Sequence, residues 1–234
     1  MTRTPTTTIA FVLYPGLTVF DLVGTLQVIS ALSAIDPRFQ PVVVGERIEA
    51  MPTDIGVPML PDRMFDEVPH PDIFVVPGGG EPTLRAMSNP AIRRYVRTAA
   101  ETAGTIGSVC TGALILASVG LLKGRPATTH WAYRSLLESY GARYERKRWV
   151  EDGKIIMSAG VSAGIDMGLF LTYRLTDEAT MRRVQLALQY DPAPPFGRID
   201  YENLGLMPRV LRGVNGLRAP LATLRAKRLT AQGM

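Results

Sequence analysis

Gly104-Thr105-Ile106-Gly107-Ser108-Val109-Cys110-Thr111-Gly112-Ala113-Leu114-Ile115-Leu116-Ala117 is the stretch on which the fold turns. Thr105–Val109 is short, β-branched and uninterrupted by charge, the pattern of a strand buried on both faces. An apolar helix is predicted over Gly112–Val119, and Gly112 and Ala113 let it start close against the strand. Cys110 therefore falls in the tight turn between them. A strand, a crowded turn and a helix form a nucleophile elbow, here with Cys where a hydrolase carries Ser. The helix start offers free N–H groups and the positive end of a dipole, so a thiol pKa below its ordinary value is expected. The competing reading is a buried cysteine that serves only as a small hydrophobe.

Working outward, Ile9–Tyr14, Pro41–Val44 and Asp72–Val76 read as further buried strands. Helices are predicted over Asp21–Ala34 and over Ala91–Ala103, the latter opened by Asn89-Pro90. Further helices are predicted at Trp131–Tyr140, stopped by Gly141, and at Ser162–Leu175 and Asp177–Gln189. Arg143–Val150 and Lys154–Met157 form a hairpin across Glu151-Asp152-Gly153, and pieces near Arg47–Leu60 read as edge strands. Strand and helix alternation predicts an α/β fold: a doubly wound, largely parallel sheet with helices on both faces, of the flavodoxin-like type. Ligands in that architecture gather beyond the carboxyl ends of the strands.

With 234 residues, 46% hydrophobic and 20% charged, the chain can bury one core without staples. Residues 1–196 are expected to form the α/β domain, closed by the proline-rich Asp191–Phe196; 197–234 are expected to be a basic extension, helical over Leu206–Arg228. A single cysteine excludes an internal disulfide and a multi-cysteine metal site, and two histidines without ligand spacing argue against any metal. The first apolar stretch is broken by Pro15-Gly16 and no uncharged run is long enough to cross a bilayer, so a cytoplasmic protein is expected. The net charge of +5 comes from the extension: after Glu202 stand six basic residues and no acidic one, leaving 20 Lys and Arg against 21 Asp and Glu before it. A neutral body argues against nucleic acid as the partner, and the tail's charge run reads first as a solvated helix face.

Other residues reach the same sheet edge. Asp72–Val76 runs into Pro77-Gly78-Gly79-Gly80, where backbone N–H groups can approach a substrate. The Gly79 and Thr111 amides are expected to stabilise charge developing on it. Asp21 lies in the first turn of the helix after strand one. It is either a helix-dipole acid or a carboxyl that keeps its proton beside Cys110 and so acts as a donor. His130 has three roles open to it: base for Cys110, substrate-binding donor, or a cap satisfied by backbone. His70 reads as surface loop and Asp166 as first-turn helix chemistry.

Ile9–Gly16, Phe20-Asp21-Leu22, the turn ending at Gly80, Val109–Ala113, Ala127–Trp131 and Ser162–Asp166 together resemble the DJ-1/PfpI superfamily, whose fold is class I glutamine amidotransferase-like. Asp21, Cys110-Thr111-Gly112, His130-Trp131 and the ending Tyr190–Phe196 resemble its isonitrile hydratase branch. Thr111 stands where peptidase-like and chaperone-like branches carry His, which argues against peptidase activity. The resemblance implies hydration of an isonitrile to an N-substituted formamide, with Cys110 as nucleophile and Asp21 as acid and then base. Gly78, Gly79, Thr111 and His130 would bind substrate, no cofactor would be needed, and a homodimer is implied. The alternatives are glyoxalase- or deglycase-like action on reactive dicarbonyls, and a non-catalytic ligand or redox sensor.

Overall fold

Strands β1 (Thr7–Val12) and β4 (Ile73–Val76) lie side by side at the centre of the molecule, and four-residue β4 is buried throughout. A computed structural model describes residues 6–201 and Arg228. Around the central pair the chain runs α1 (Val19–Ile35), β2 (Phe39–Gly45), β3 (Arg63–Met64), then, after β4, α2 (Glu81–Ala86), α3 (Pro90–Thr102), β5 (Thr105–Val109) and α4 (Gly112–Ser118). It continues through β6 (Pro126–Ala127), α5 (Arg134–Ser139), β7 (Arg143–Tyr144), β8 (Trp149–Asp152), β9 (Ile155–Ser158), α6 (Ala163–Leu175) and α7 (Glu178–Ala187). The expected tail helix, Leu206–Arg228, lies outside the described residues but for its last one.

Seven strands form one sheet in the order β3-β2-β1-β4-β5-β9-β8, parallel except where β8 runs antiparallel to β9. The order reverses between β1 and β4: α1 carries the chain outward to β2, whereas α3 carries it the other way to β5. Right-handed crossovers therefore put α1 on one face and α3 and α4 on the other. Helix α1 packs with α6 and α7, and α4 packs with α2 and α5. A switch point of this kind opens a crevice at the carboxyl ends of the strands. Tyr14, Gly78 and Cys110 all follow those ends.

Three local expectations change. The hairpin is only Trp149–Asp152 against Ile155–Ser158, turning at Gly153-Lys154 with Gly153 at φ +62°. Arg143–Tyr144 pairs instead with β6 in a separate parallel ladder, a partner that alternation in one segment cannot reveal. Trp131–Tyr140 opens as a 3₁₀ turn, Trp131–Tyr133, before α5 begins. Arg47–Leu60 makes a single antiparallel bridge, Met51 to Met59, within a loop. None of the described helices is long and apolar enough to cross a membrane.

Candidate active site

Cys110 occupies the turn from β5 into α4 with φ +57°, a left-handed conformation that costs a non-glycine residue about 1–2 kcal/mol. Two bonds hold it there. Its N–H donates to the Ser158 carbonyl at 2.9 Å, and its own carbonyl accepts the Thr129 hydroxyl at 2.9 Å. At Gly112 a Cβ would stand 2.0 Å from the Val76 carbonyl oxygen, so α4 can begin here only on glycine. The sulfur side chain is enclosed, with the residue 7% exposed.

Asp21 is fully buried in the first turn of α1. Its Oδ2 accepts the Gly78 N–H at 3.1 Å, and Oδ1 has no hydrogen-bond partner among the described residues. Burial raises its pKa to about 7; the neighbouring Cys110 thiol and the Gly78 N–H pull it down, and the charge of Asp54 pushes it up. The thiol is raised well above its ordinary value, first by burial and next by the charge of Asp21, with the Thr111 backbone N–H opposing. The expected lowering of the thiol pKa is thus overturned. One backbone donor at the head of a short helix does not offset removal from water beside a carboxylate. Two such groups titrate as a unit, and the proton belongs to the pair.

The glycine turn is built around Thr111. A Cβ on Gly78 would come within 2.6 Å of Thr111 N and 2.7 Å of Asp21 Oδ2. Gly79 and Gly80 donate their N–H groups to Thr111 Oγ1 at 3.0 and 3.1 Å. Thr111 Oγ1 lies 2.8 Å from Thr83 Oγ1, which lies 3.0 Å from the Tyr14 hydroxyl. Tyr14 donates its one hydrogen to the Pro77 carbonyl at 2.9 Å. A carbonyl only accepts, so the direction is fixed: Thr111 donates to Thr83 and Thr83 donates to Tyr14. In this geometry the Gly79 N–H serves the Thr111 hydroxyl rather than a substrate atom. The Thr111 N–H is the amide that faces the sulfur.

His130 caps the 3₁₀ turn, its Nδ1 accepting the Ala132 N–H at 3.4 Å, and burial lowers its pKa. No hydrogen bond joins it to Cys110. It lines a cavity of about 610 Å³ together with Phe20, Thr129, Trp131, Tyr144 and Arg146. Neither Cys110 nor Asp21 is in that wall, but Phe20 adjoins Asp21 and Thr129 holds the Cys110 carbonyl. Asp166 pairs with Arg148 at 2.5 Å and accepts the Tyr190 hydroxyl at 2.7 Å. His70 meets Thr102 at the surface. Among the described residues no group of three or more His, Cys, Asp or Glu is placed to hold a metal.

Tyr14, Thr83 and Tyr133 are site residues that the sequence reading passed over. Tyr14 had a signal, since it ends the first strand segment at the crevice. Tyr133 had another, standing three residues after His130, where a 3₁₀ turn stacks side chains on one side; their rings meet edge to face at 6.2 Å.

The profile of the DJ-1/PfpI family matches residues 7–172. An isonitrile hydratase of Pseudomonas putida is 38% identical over 189 residues, covering 80% of this chain and 80% of its own. The HTH-type transcriptional regulator CdhR of Pseudomonas aeruginosa is 34% identical over 160 residues, 66% of this chain but only 45% of the regulator. Among solved structures, a ThiJ/PfpI family protein from Pseudomonas syringae superposes with a TM-score of 0.83 at 32% identity, covering 96% of this chain and 90% of that one.

Proposed function

Because this chain belongs to the DJ-1/PfpI family, we propose that its buried thiol–carboxyl pair hydrates isonitriles to N-substituted formamides. The observation that carries this reading is Asp21: fully buried, one oxygen unpartnered, and held by burial at a raised pKa beside a thiol whose own pKa is raised. The 38% identity to an isonitrile hydratase supports it.

The singly protonated pair is the working state. Asp21 takes the thiol proton as sulfur bonds to the terminal carbon of the isonitrile, and delivers it to that same carbon. The product is a thioimidate on Cys110, and the carboxylate is restored. Asp21 then removes a proton from the water that attacks this carbon, and the substrate nitrogen gains one from a second donor, which recovers a proton from the carbinol hydroxyl as the carbonyl forms. The C–S bond breaks as the carbonyl forms, and sulfur recovers its proton from Asp21. The Thr111 N–H, facing the sulfur, stabilises the charge that passes through it, while Gly78 holds the Asp21 carboxyl in place. The cavity beside His130 receives the substituent on nitrogen. No step calls for a cofactor. A reducing cytoplasm would keep the lone thiol free, and a homodimer would cover the apolar side chains exposed around the start of α1.

Purified protein incubated with cyclohexyl isocyanide is expected to release N-cyclohexylformamide over many turnovers, and more slowly to consume methylglyoxal, if at all. Cys110→Ser should abolish formamide release, and Asp21→Asn should lower it at least a hundredfold. Absence of formamide from the wild type ends this assignment. Stoichiometric binding without turnover would point to a sensor instead.

A further inference from the structure

Tyr133 is 9% exposed as a residue, and its hydroxyl, which no described residue hydrogen-bonds, still reaches solvent. A tyrosine hydroxyl that reaches solvent can exchange water for a polar atom of a bound molecule. Its position says where such an atom would stand. The hydroxyl lies 3.5 Å from where a Cβ on Gly80 would stand, at the opposite end of the glycine turn from Asp21, which meets Gly78. The ring packs edge to face on His130, which lines the cavity. Burial first, and then the charges of Cys110 and Glu81, raise the pKa of this phenol above its ordinary value.

We propose that the Tyr133 hydroxyl is a substrate-facing donor, reserved for the nitrogen of the thioimidate held on Cys110. This rests on the hydratase reading and completes its proton account. As Asp21 takes one proton from the attacking water, Tyr133 donates its own to nitrogen, giving the carbinolamine R–NH–CH(OH)–S. When the C–S bond breaks, the carbinol O–H proton returns to the tyrosinate and the carbonyl forms. Sulfur takes its proton from Asp21. One water is consumed and every group ends as it began. Asp21 and Tyr133 then serve different atoms of the same intermediate.

The test is Tyr133→Phe, assayed with cyclohexyl isocyanide beside the wild type. Expected are a kcat lowered about a hundredfold, a KM that falls with it so that kcat/KM stays within about threefold, and an unchanged thermal midpoint. The acid-quenched variant should carry the thioimidate on Cys110 by intact mass, because attachment precedes the step that Tyr133 serves. A structural role would not produce that adduct. If the variant keeps kcat within about twofold of an active wild type, the Tyr133 assignment is overturned and the hydratase reading stands. If the wild type makes no formamide, both fall. Should Tyr133→Phe fail to fold, 3-fluorotyrosine at this position preserves shape while making the phenol more acidic. A displaced alkaline limb of kcat is then expected, and an unchanged one overturns the proposal.

Discussion

The charge state of Cys110 is set by its neighbours rather than by its place at a helix start. Below about pH 7 both members of the pair hold protons, and Asp21 cannot accept the one that sulfur must lose. Above that value the carboxylate is free and the thiol, raised by burial, still holds its proton. With cyclohexyl isocyanide, kcat/KM is therefore expected to rise with pH through about 7 as a property of the pair. A profile that falls between pH 6 and 8 would overturn this order of protonation. Residue type and position alone brought Cys110 and Asp21 to one edge, but the sequence holds no measure of how dry that edge is. The direction of the thiol shift came from burial, which depends on the whole core. Gly79 teaches the same lesson: a glycine amide at a strand end looks free in sequence, and only the fold shows Thr111 taking it.

At the scale of elements, the site depends on α4 and the glycine turn meeting without side chains between them. Gly112→Ala would place a carbon 2.0 Å from a β4 carbonyl. Helix α4 would have to move, and Cys110 with it. A loss of about 3 kcal/mol or more in stability is expected from a urea midpoint, along with near-complete loss of activity. An unchanged midpoint would mean that the turn relaxes freely. The strands of the central sheet could be read from sequence because fully buried parallel strands are written as short apolar runs, and Thr105–Val109 matches β5 end to end. The brief elements escaped for the opposite reason. Helix α2 spans six residues and β6 two, too few for any periodicity to emerge. The partner of Arg143–Tyr144 is a matter of tertiary placement that local pattern does not encode.

Across the whole molecule, buried Asp21 adjoins an exposed apolar side chain, Phe20. Asp54 accepts the Val19 N–H at 2.9 Å and so fastens the loop after β2 to the start of α1. On or beside this join, Phe20, Ile55, Val57 and Leu60 are each more than two-fifths exposed. Apolar groups gathered in this way mark association surfaces. Sedimentation of the full chain at micromolar concentration is expected to give twice its 25.5 kDa mass, and Ile55→Asp with Val57→Asp to halve it; a monomeric wild type would remove the dimer. The hydroxyl series from Thr111 through Thr83 to Tyr14 bears on traffic through this whole. Its final hydrogen is anchored on a carbonyl that cannot pass it on, so the series is a wall and not a wire. No proton therefore reaches Asp21 and Cys110 along these three hydroxyls.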